Sequence, residues 1–498
     1  MKASDATTAA PAETVAHYNR WGAGLLLLLI LRLFPWASAD LWYDEILTLR
    51  LFVWAKPGIS GIFRDYAIAN NHFLNSAITW LWLHLPGADH SEFTLRLPAI
   101  LTAAATIAVI LWLWRSILGD RIALTTALLV ALSPVYGPFA VQLRGYSLAM
   151  FLSALAVSAA WSRWRHPAAV NGLILFGASL LLPLTMPSAA MASGALMIPL
   201  FLLPLSHSGL RSRLRRIAPV VTGCLAGLIY YLTLWPQFQN ARLTSGGWES
   251  AAAVGLHLLL AFSLHLGILL TGFFTLHSVR RGHNVPAIQF GLILALSCVM
   301  AALSVLLLPS PTGRSPFPRV FLVLLLPLTF AAAMLFRCSP AAHWPMKALL
   351  AGAALPAALV TQGCELFTAR RLEQPWPPPQ NLLMQYYRGQ TGVSAMAFQI
   401  AGMRERGELP AALRLTVSAY DYPAVEYYWQ LAGNPPLIPG SNSPAVIPDN
   451  LPCPAPARNY PLLLFFRTED EARRASGGAK LKLLAQFGHH RLYSAVCP

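Results

Sequence analysis

Acidic side chains are scarce in this chain. Asp and Glu number 20 in 498 residues, and all charged types together make up 11%. Soluble domains carry about 25% charged residues, so a soluble globular class is excluded at the outset. Familiar catalytic signatures are missing as well. The sequence holds no HExxH, no CxxC pair, no Walker-type phosphate loop and no GxSxG elbow, and with them go the chemistries those motifs carry. Cysteine is sparse at six, too few for a scaffold of this length built on disulfides. No internal repeat is present.

What the chain has instead is apolar length. It is 56% hydrophobic, with a mean hydropathy of +0.53. Stretches of 17 to 23 residues run almost without charge, and a helix rising 1.5 Å per residue crosses a bilayer core of about 30 Å with that length. The class is a polytopic α-helical membrane protein. Spans are expected at 21–36, 95–114, 122–141, 146–162, 169–186, 189–205, 217–236, 253–276, 287–309, 319–336 and 347–363. Residues 1–20 form a polar leader. Ala37-Ser38-Ala39 resembles a signal-peptidase site, but the leader and Arg32 inside the apolar run favour an uncleaved first helix.

The net charge of +16 would point to nucleic acid in a soluble protein. Here the basic residues sit in short loops between apolar runs, which is the positive-inside pattern and argues against a nucleic-acid partner. With the N-terminus cytoplasmic, Arg115 and Arg121, Arg163 and Arg165, the Arg211–Arg216 cluster, Arg280-Arg281, and Arg337 with Lys347 all fall on the inner side. Eleven spans then place the C-terminus outside. Phe73 to Leu85 is apolar but too short to span comfortably, so it reads as an interfacial or re-entrant helix within a long first external loop, residues 37–94. Residues 364–498 are rich in proline and polar residues and read as a small extracytoplasmic α/β domain. Strands are expected at 413–418, 462–466, 480–486 and 491–496, and helices at 422–431 and 469–474. Cys224 and Cys298 lie in apolar helices as small hydrophobes, and Cys338 in a cytoplasmic loop. In an oxidising compartment Cys453 and Cys497 can pair, leaving Cys364 at the membrane edge.

The polar residues that remain crowd one face. Asp44 and Glu45 follow the first helix in Leu41-Trp-Tyr-Asp-Glu45. On a helix their side chains point about 100° apart, so one can face a pocket while the other supports it. A carboxylate at an apolar surface gains basicity and can take a proton from an acceptor; alternatively the pair only marks a helix end. Asn70, Asn71 and His72, with Asn75, suit a sugar or phosphate, or cap the next helix. Arg144, in Gln142-Leu-Arg-Gly-Tyr146, and Arg319, in Arg314-Ser-Pro-Phe-Pro-Arg319, are external arginines. Their guanidinium forks fit phosphate oxygens, against plain snorkelling. His257 and His265 share one helical face and read as core histidines. A divalent cation could join the carboxylates near Asp44, although no ligand spacing requires one.

Taken in order, Trp42-Tyr-Asp-Glu45, Asn70-Asn-His72, Phe93-Thr-Leu-Arg-Leu-Pro98, Ala131-Leu-Ser-Pro134, Gln142-Leu-Arg-Gly-Tyr146 and Pro318-Arg-Val-Phe321 resemble the GT-C glycosyltransferases that use polyprenyl-phosphate sugars. Relatives are the protein O-mannosyltransferases and the bacterial sugar transferases of lipid A and lipopolysaccharide core. The resemblance is good over roughly residues 20–165. It implies an inner-membrane transferase, inverting at the sugar, that delivers a hexosyl or pentosyl group to an envelope lipid, glycan or protein. It makes Asp44 the catalytic acidic residue and general base, with Glu45 in support, and Asn70, Asn71, His72, Arg144, Tyr146 and Arg319 the substrate-binding set. Phe73 replaces the proline that many relatives carry after the histidine, and Arg144 stands where mannosyltransferases carry an acidic residue, which favours the wider bacterial branch. A transporter or flippase of a lipid-linked substrate is the competing reading; it is disfavoured because the long helices are nearly free of charge.

Overall fold

Backbone polar groups have no partner in lipid, so apolar runs of this length fold as helices that satisfy themselves. The computed structural model describes residues 12–41, 43–66, 68, 71–133, 136–203, 209–244, 251–262, 285–307, 318–338, 392–410, 413–417, 421–434, 462–466, 468–477, 479–487 and 490–496. It divides into two units. One comprises Met1–Trp36, Phe63–Ile78 and Arg96–Gln362; the other comprises Ala37–Ile62, Thr79–Leu95 and Gly363–Pro498.

The first unit holds the apolar helices. By length and composition, four helices among the described residues can cross a membrane: Glu92–Leu118, Leu210–Ala241, Pro286–Leu307 and Arg319–Cys338. Helices also cover the other expected spans as far as they are described: Ala12–Ala37, Tyr146–Arg165, Ala169–Thr185, Ala190–Leu202 and Ala251–Ala261. The span expected at 347–363 lies outside the described residues. The one expected at 122–141 is two pieces, Asp120–Ala131 and Tyr136–Ala140. The reason is Pro134, which disfavours helical backbone at the residue before it. Cys338, expected in a loop, closes the Leu325–Cys338 helix and is buried.

Lipid offers helices no hydrophobic reason to associate, so close packing depends on small residues that let backbones approach. Gly223 and Gly227 stand one turn apart on the Leu210–Ile229 helix and face Ala169–Thr185. A Cβ on Gly223 would lie 2.4 Å from the Phe176 carbonyl oxygen, and one on Gly227 2.6 Å from that of Leu180. Elsewhere the unit is filled by large rings. Trp161, Trp164, Phe290 and Phe330 interlock, and Trp114 joins them edge-on to Phe330.

Arginines in this layer are spent on carbonyls. Arg32 donates to the carbonyls of Ala131 and, at 3.0 Å, Ser133; the second also accepts the N–H groups of Tyr136 and Gly137 at 3.2 Å. Arg96, fully buried at 0% exposure, donates to the Trp36 carbonyl at 3.1 Å. Arg163 donates to the carbonyls of Arg215 and Arg216 at 2.7 and 3.1 Å. Two basic loops that the charge pattern assigns to one side are therefore in contact.

The second unit is built around a four-stranded sheet. Strands β1 (Arg414–Val417) and β2 (Leu462–Phe466) pair in parallel; β2 pairs antiparallel with β4 (His490–Val496), which pairs antiparallel with β3 (Lys480–Phe487). Leu464, Phe466 and Tyr493 pack with Ala472 of the Glu469–Ala475 helix, which begins with a reciprocal cap between Thr468 and Glu471. The Val393–Glu405 helix carries no expectation from sequence; Tyr422–Leu431 matches one. Helix Tyr43–Leu47 and the π-helical stretch Thr48–Trp54 belong to this same unit. The first long loop thus folds largely with the C-terminal residues rather than as an appendage of the apolar helices. Cys364, Cys453 and Cys497 lie outside the described residues, as do His265 and the side chain of His257.

Candidate functional site

Residues 71–72 precede the short apolar helix Phe73–Leu83. Residues 142–145 make a tight turn before Tyr146–Arg165, with Arg144 N–H donating to the Gln142 carbonyl at 2.6 Å. The first unit brings these two segments together. The Gly145 N–H donates to His72 Nδ1 at 2.8 Å, and Arg144 Nη2 lies 3.1 Å from His72 Nε2. The Tyr146 ring meets the His72 ring edge-on at 5.4 Å and sits 5.2 Å from the Arg144 guanidinium carbon, a distance at which a ring face attracts a cation. Gly145 is required by this approach: a Cβ there would be 2.5 Å from Thr185 Cγ2 and 2.8 Å from His72 Nδ1.

The proton on His72 can be assigned from its neighbours. A backbone N–H only donates, so Nδ1 carries no proton. Burial, then the charges of Arg144 and Arg319, hold the imidazole well below the usual histidine range, so the ring is neutral at pH 7 and its single proton is on Nε2. A guanidinium also only donates. Two N–H groups therefore face each other at a place where His72 is 5% and Arg144 2% exposed. Both groups donate, so an anionic oxygen placed against the pair can accept from each. Arg319 opens the turn that leads into Leu325–Cys338, and its charge reaches the same ring.

Further polar atoms surround this pair. Gln142 Oε1 and Asn75 Nδ2 are buried and make no hydrogen bond among the described residues. Asn71 spends its amide on the loop itself: Nδ2 donates to the Asp65 carbonyl at 2.6 Å and Oδ1 accepts from Ser76 Oγ at 3.0 Å. Beside them stands an aromatic wall of Phe63, Tyr66, Phe73, Tyr230, Tyr231 and Phe238. Burial raises the Tyr66 phenol and Arg144 draws it partly back, so the arginine's field extends to this wall. Sequence reasoning missed Gly145, Thr185 and Tyr66. Only Gly145 had a signal, as the residue without a side chain between Arg144 and Tyr146.

Asp44 and Glu45 stand in the second unit, in the first turn of Tyr43–Leu47. Glu45 is fully buried at 0% exposure, whereas Asp44 is half-buried. The two thus differ in access, as helical spacing requires. Asn70 lies outside the described residues. Among the described residues no group of three or more His, Cys, Asp or Glu side chains is placed to hold a metal ion.

No family model matches the chain, and no curated protein matches it. Its likeness to known proteins is one of fold. Among solved structures it resembles ArnT from Cupriavidus metallidurans in the apo state, with a TM-score of 0.58 and 14% identity over 97% of this chain and 98% of that one. The same protein bound to undecaprenyl phosphate gives a TM-score of 0.56 at 14% identity over 98% and 99% of the two chains.

Proposed function

We propose that the chain is a membrane glycosyltransferase that moves a sugar from a polyprenyl-phosphate donor to an acceptor in the cell envelope. The observation that carries this reading is the facing pair of donors, His72 Nε2–H and Arg144, in a buried setting. A phosphate oxygen can accept from both donors, and a neutral apolar guest from neither. The fold supports it, because an ArnT of the same architecture is described with undecaprenyl phosphate bound.

In this scheme Arg144 and Arg319 hold the donor phosphate, and His72 donates Nε2–H to one of its oxygens. Tyr146 packs beneath the guanidinium. Asn70 and Asn71 shape the loop against the sugar. Asp44 takes the proton of the acceptor hydroxyl. The acceptor oxygen then bonds to the anomeric carbon as the carbon–oxygen bond to phosphate breaks, and that electron pair leaves on the phosphate. Fixed donors around the departing charge are worth several kcal/mol, about 2.7–4 for a single one. One displacement inverts the anomeric centre. Glu45, buried in the same turn, supports Asp44. By the charge pattern of the loops, the reaction lies on the extracytoplasmic side of the inner membrane.

The test uses purified protein in liposomes, radiolabelled polyprenyl-phosphate sugars and an extract of envelope acceptors. Arg144→Gln should weaken donor binding about 10- to 100-fold, the worth of a charge-assisted hydrogen bond. Asp44→Asn should abolish transfer while leaving donor binding intact. Undiminished transfer by Asp44→Asn at normal expression would overturn the assignment of the base.

A further inference from the structure

Tyr43–Leu47 is a helix of five residues, far below the length that holds itself in shape. A general base on so short a piece has to be positioned from outside. Within the second unit, residues beyond 390 do this at both ends. At the near end, Asp40 Oδ2 accepts from the N–H groups of Gly392 and Ser394 at 3.2 and 3.1 Å. Leu41 N–H donates to Tyr428 Oη at 2.6 Å, across 387 residues of sequence. Leu41 and Tyr428 are both fully buried, so water cannot replace either partner. At the far end Arg50 is ion-paired with Glu426, and Trp54 stacks on Tyr427 at 5.7 Å and 21°. Three successive residues of one helix, Glu426, Tyr427 and Tyr428, thus grip the segment on either side of Asp44 and Glu45. That helix is itself tied to strand β4 by Asp421 and His490, both buried and 3.2 Å apart.

We infer that Tyr428 is a positioning residue for the acidic pair. Its hydroxyl fixes the start of the acidic helix, and the Glu426–Arg50 pair fixes the register at the other end. The inference rests on the reading of Asp44 as general base. Catalytic groups must be held within about 0.5 Å, and a displacement of about 1 Å costs on the order of 100-fold in rate. The donor phosphate is bound by residues of the other unit, so loosening this grip acts on turnover and not on donor affinity.

The experiment uses the full chain in liposomes. Tyr428→Phe removes only the accepting oxygen, and should lower kcat at least about 10-fold while donor KM changes less than about two-fold. Arg50→Glu and Glu426→Arg should each lower kcat, and the double exchange should recover most of the loss. In parallel, hydrogen exchange should show faster exchange at Leu41 and across 43–54 in Tyr428→Phe, with the sheet strands unchanged. If exchange across 43–54 matches wild type, or if kcat is unaltered in an active enzyme, the inference is wrong. Because exchange reads the tether whatever the substrate, a wild-type protein that transfers no polyprenyl-linked sugar would count against the proposed function alone.

Discussion

Gly145→Ala is the sharpest test of the site. The added methyl would stand 2.5 Å from Thr185 Cγ2 and 2.8 Å from His72 Nδ1. Carbon atoms in contact prefer about 3.5–4.0 Å, so the overlap with Thr185 is about 1 Å. Overpacking of this kind costs about 1–3 kcal/mol. If His72 swings away to relieve it, the bond from Gly145 N–H is lost, for about 1 kcal/mol more. The expected destabilisation is therefore about 2–4 kcal/mol. Its larger effect is on geometry, because the turn that moves carries Arg144, and about 1 Å there is worth on the order of 100-fold in transfer. Thr185→Ser is the matched relief. It deletes Cγ2 but keeps the hydroxyl that donates to the Leu181 carbonyl at 2.9 Å. The double variant should regain part of both activity and melting temperature, measured by tryptophan fluorescence in detergent and by the transfer assay. Wild-type melting and activity in Gly145→Ala, or no relief from Thr185→Ser, would refute the packing that defines this site.

Four more outcomes follow from the same structure. His72 refuses a proton that the unfolded chain accepts, so stability should fall as pH drops below about 6.5, the unfolded value; His72→Asn should flatten that acid slope in melting curves taken between about pH 4 and 7. Gly223→Val should lower the melting temperature through a loss of about 1–3 kcal/mol, because its Cβ meets backbone at Phe176. Gly24→Ala, which meets nothing within 4 Å, should be neutral or slightly stabilising, as Ala exceeds Gly in helix propensity by about 1 kcal/mol. Arg32→Met should cost about 1–3 kcal/mol by removing its donor to the Ala131 carbonyl, read as reduced yield and melting temperature.

Much of the fold is legible in the sequence because bilayer thickness and helix rise leave a long apolar run one solution. The strands from Arg414 to Val496 follow from apolar runs between turn residues. The break after Ala131 is written in Ser133-Pro134. The π-helical stretches Thr48–Trp54 and Val109–Leu113 carry no such marker, since they arise from packing rather than from local preference. The meeting of His72 and Arg144, 72 residues apart, was legible only as two motifs assigned to the same face. Asn71 shows the limit of a residue-type argument: an amide suited to a sugar is also suited to holding a loop, and only its partners at Asp65 and Ser76 decide between the two. That residues 37–62 belong with the C-terminal unit could not be read at all, because a pairing such as Leu41 with Tyr428 leaves no periodic trace.

The grip of Tyr428 on Leu41 also sets a clock for biogenesis. The two residues are separated by 387 positions, and ribosomes add about 5–20 residues per second. For roughly 20–80 s after the acidic segment emerges, the apolar helices can insert and assemble while that segment still waits for its tether. A chain interrupted before Tyr428 would hold the His72–Arg144 donors without a secured base. On the proposed function it would take up the lipid phosphate but not turn it over, so incomplete synthesis would yield an inert occupant of the membrane rather than an unregulated enzyme.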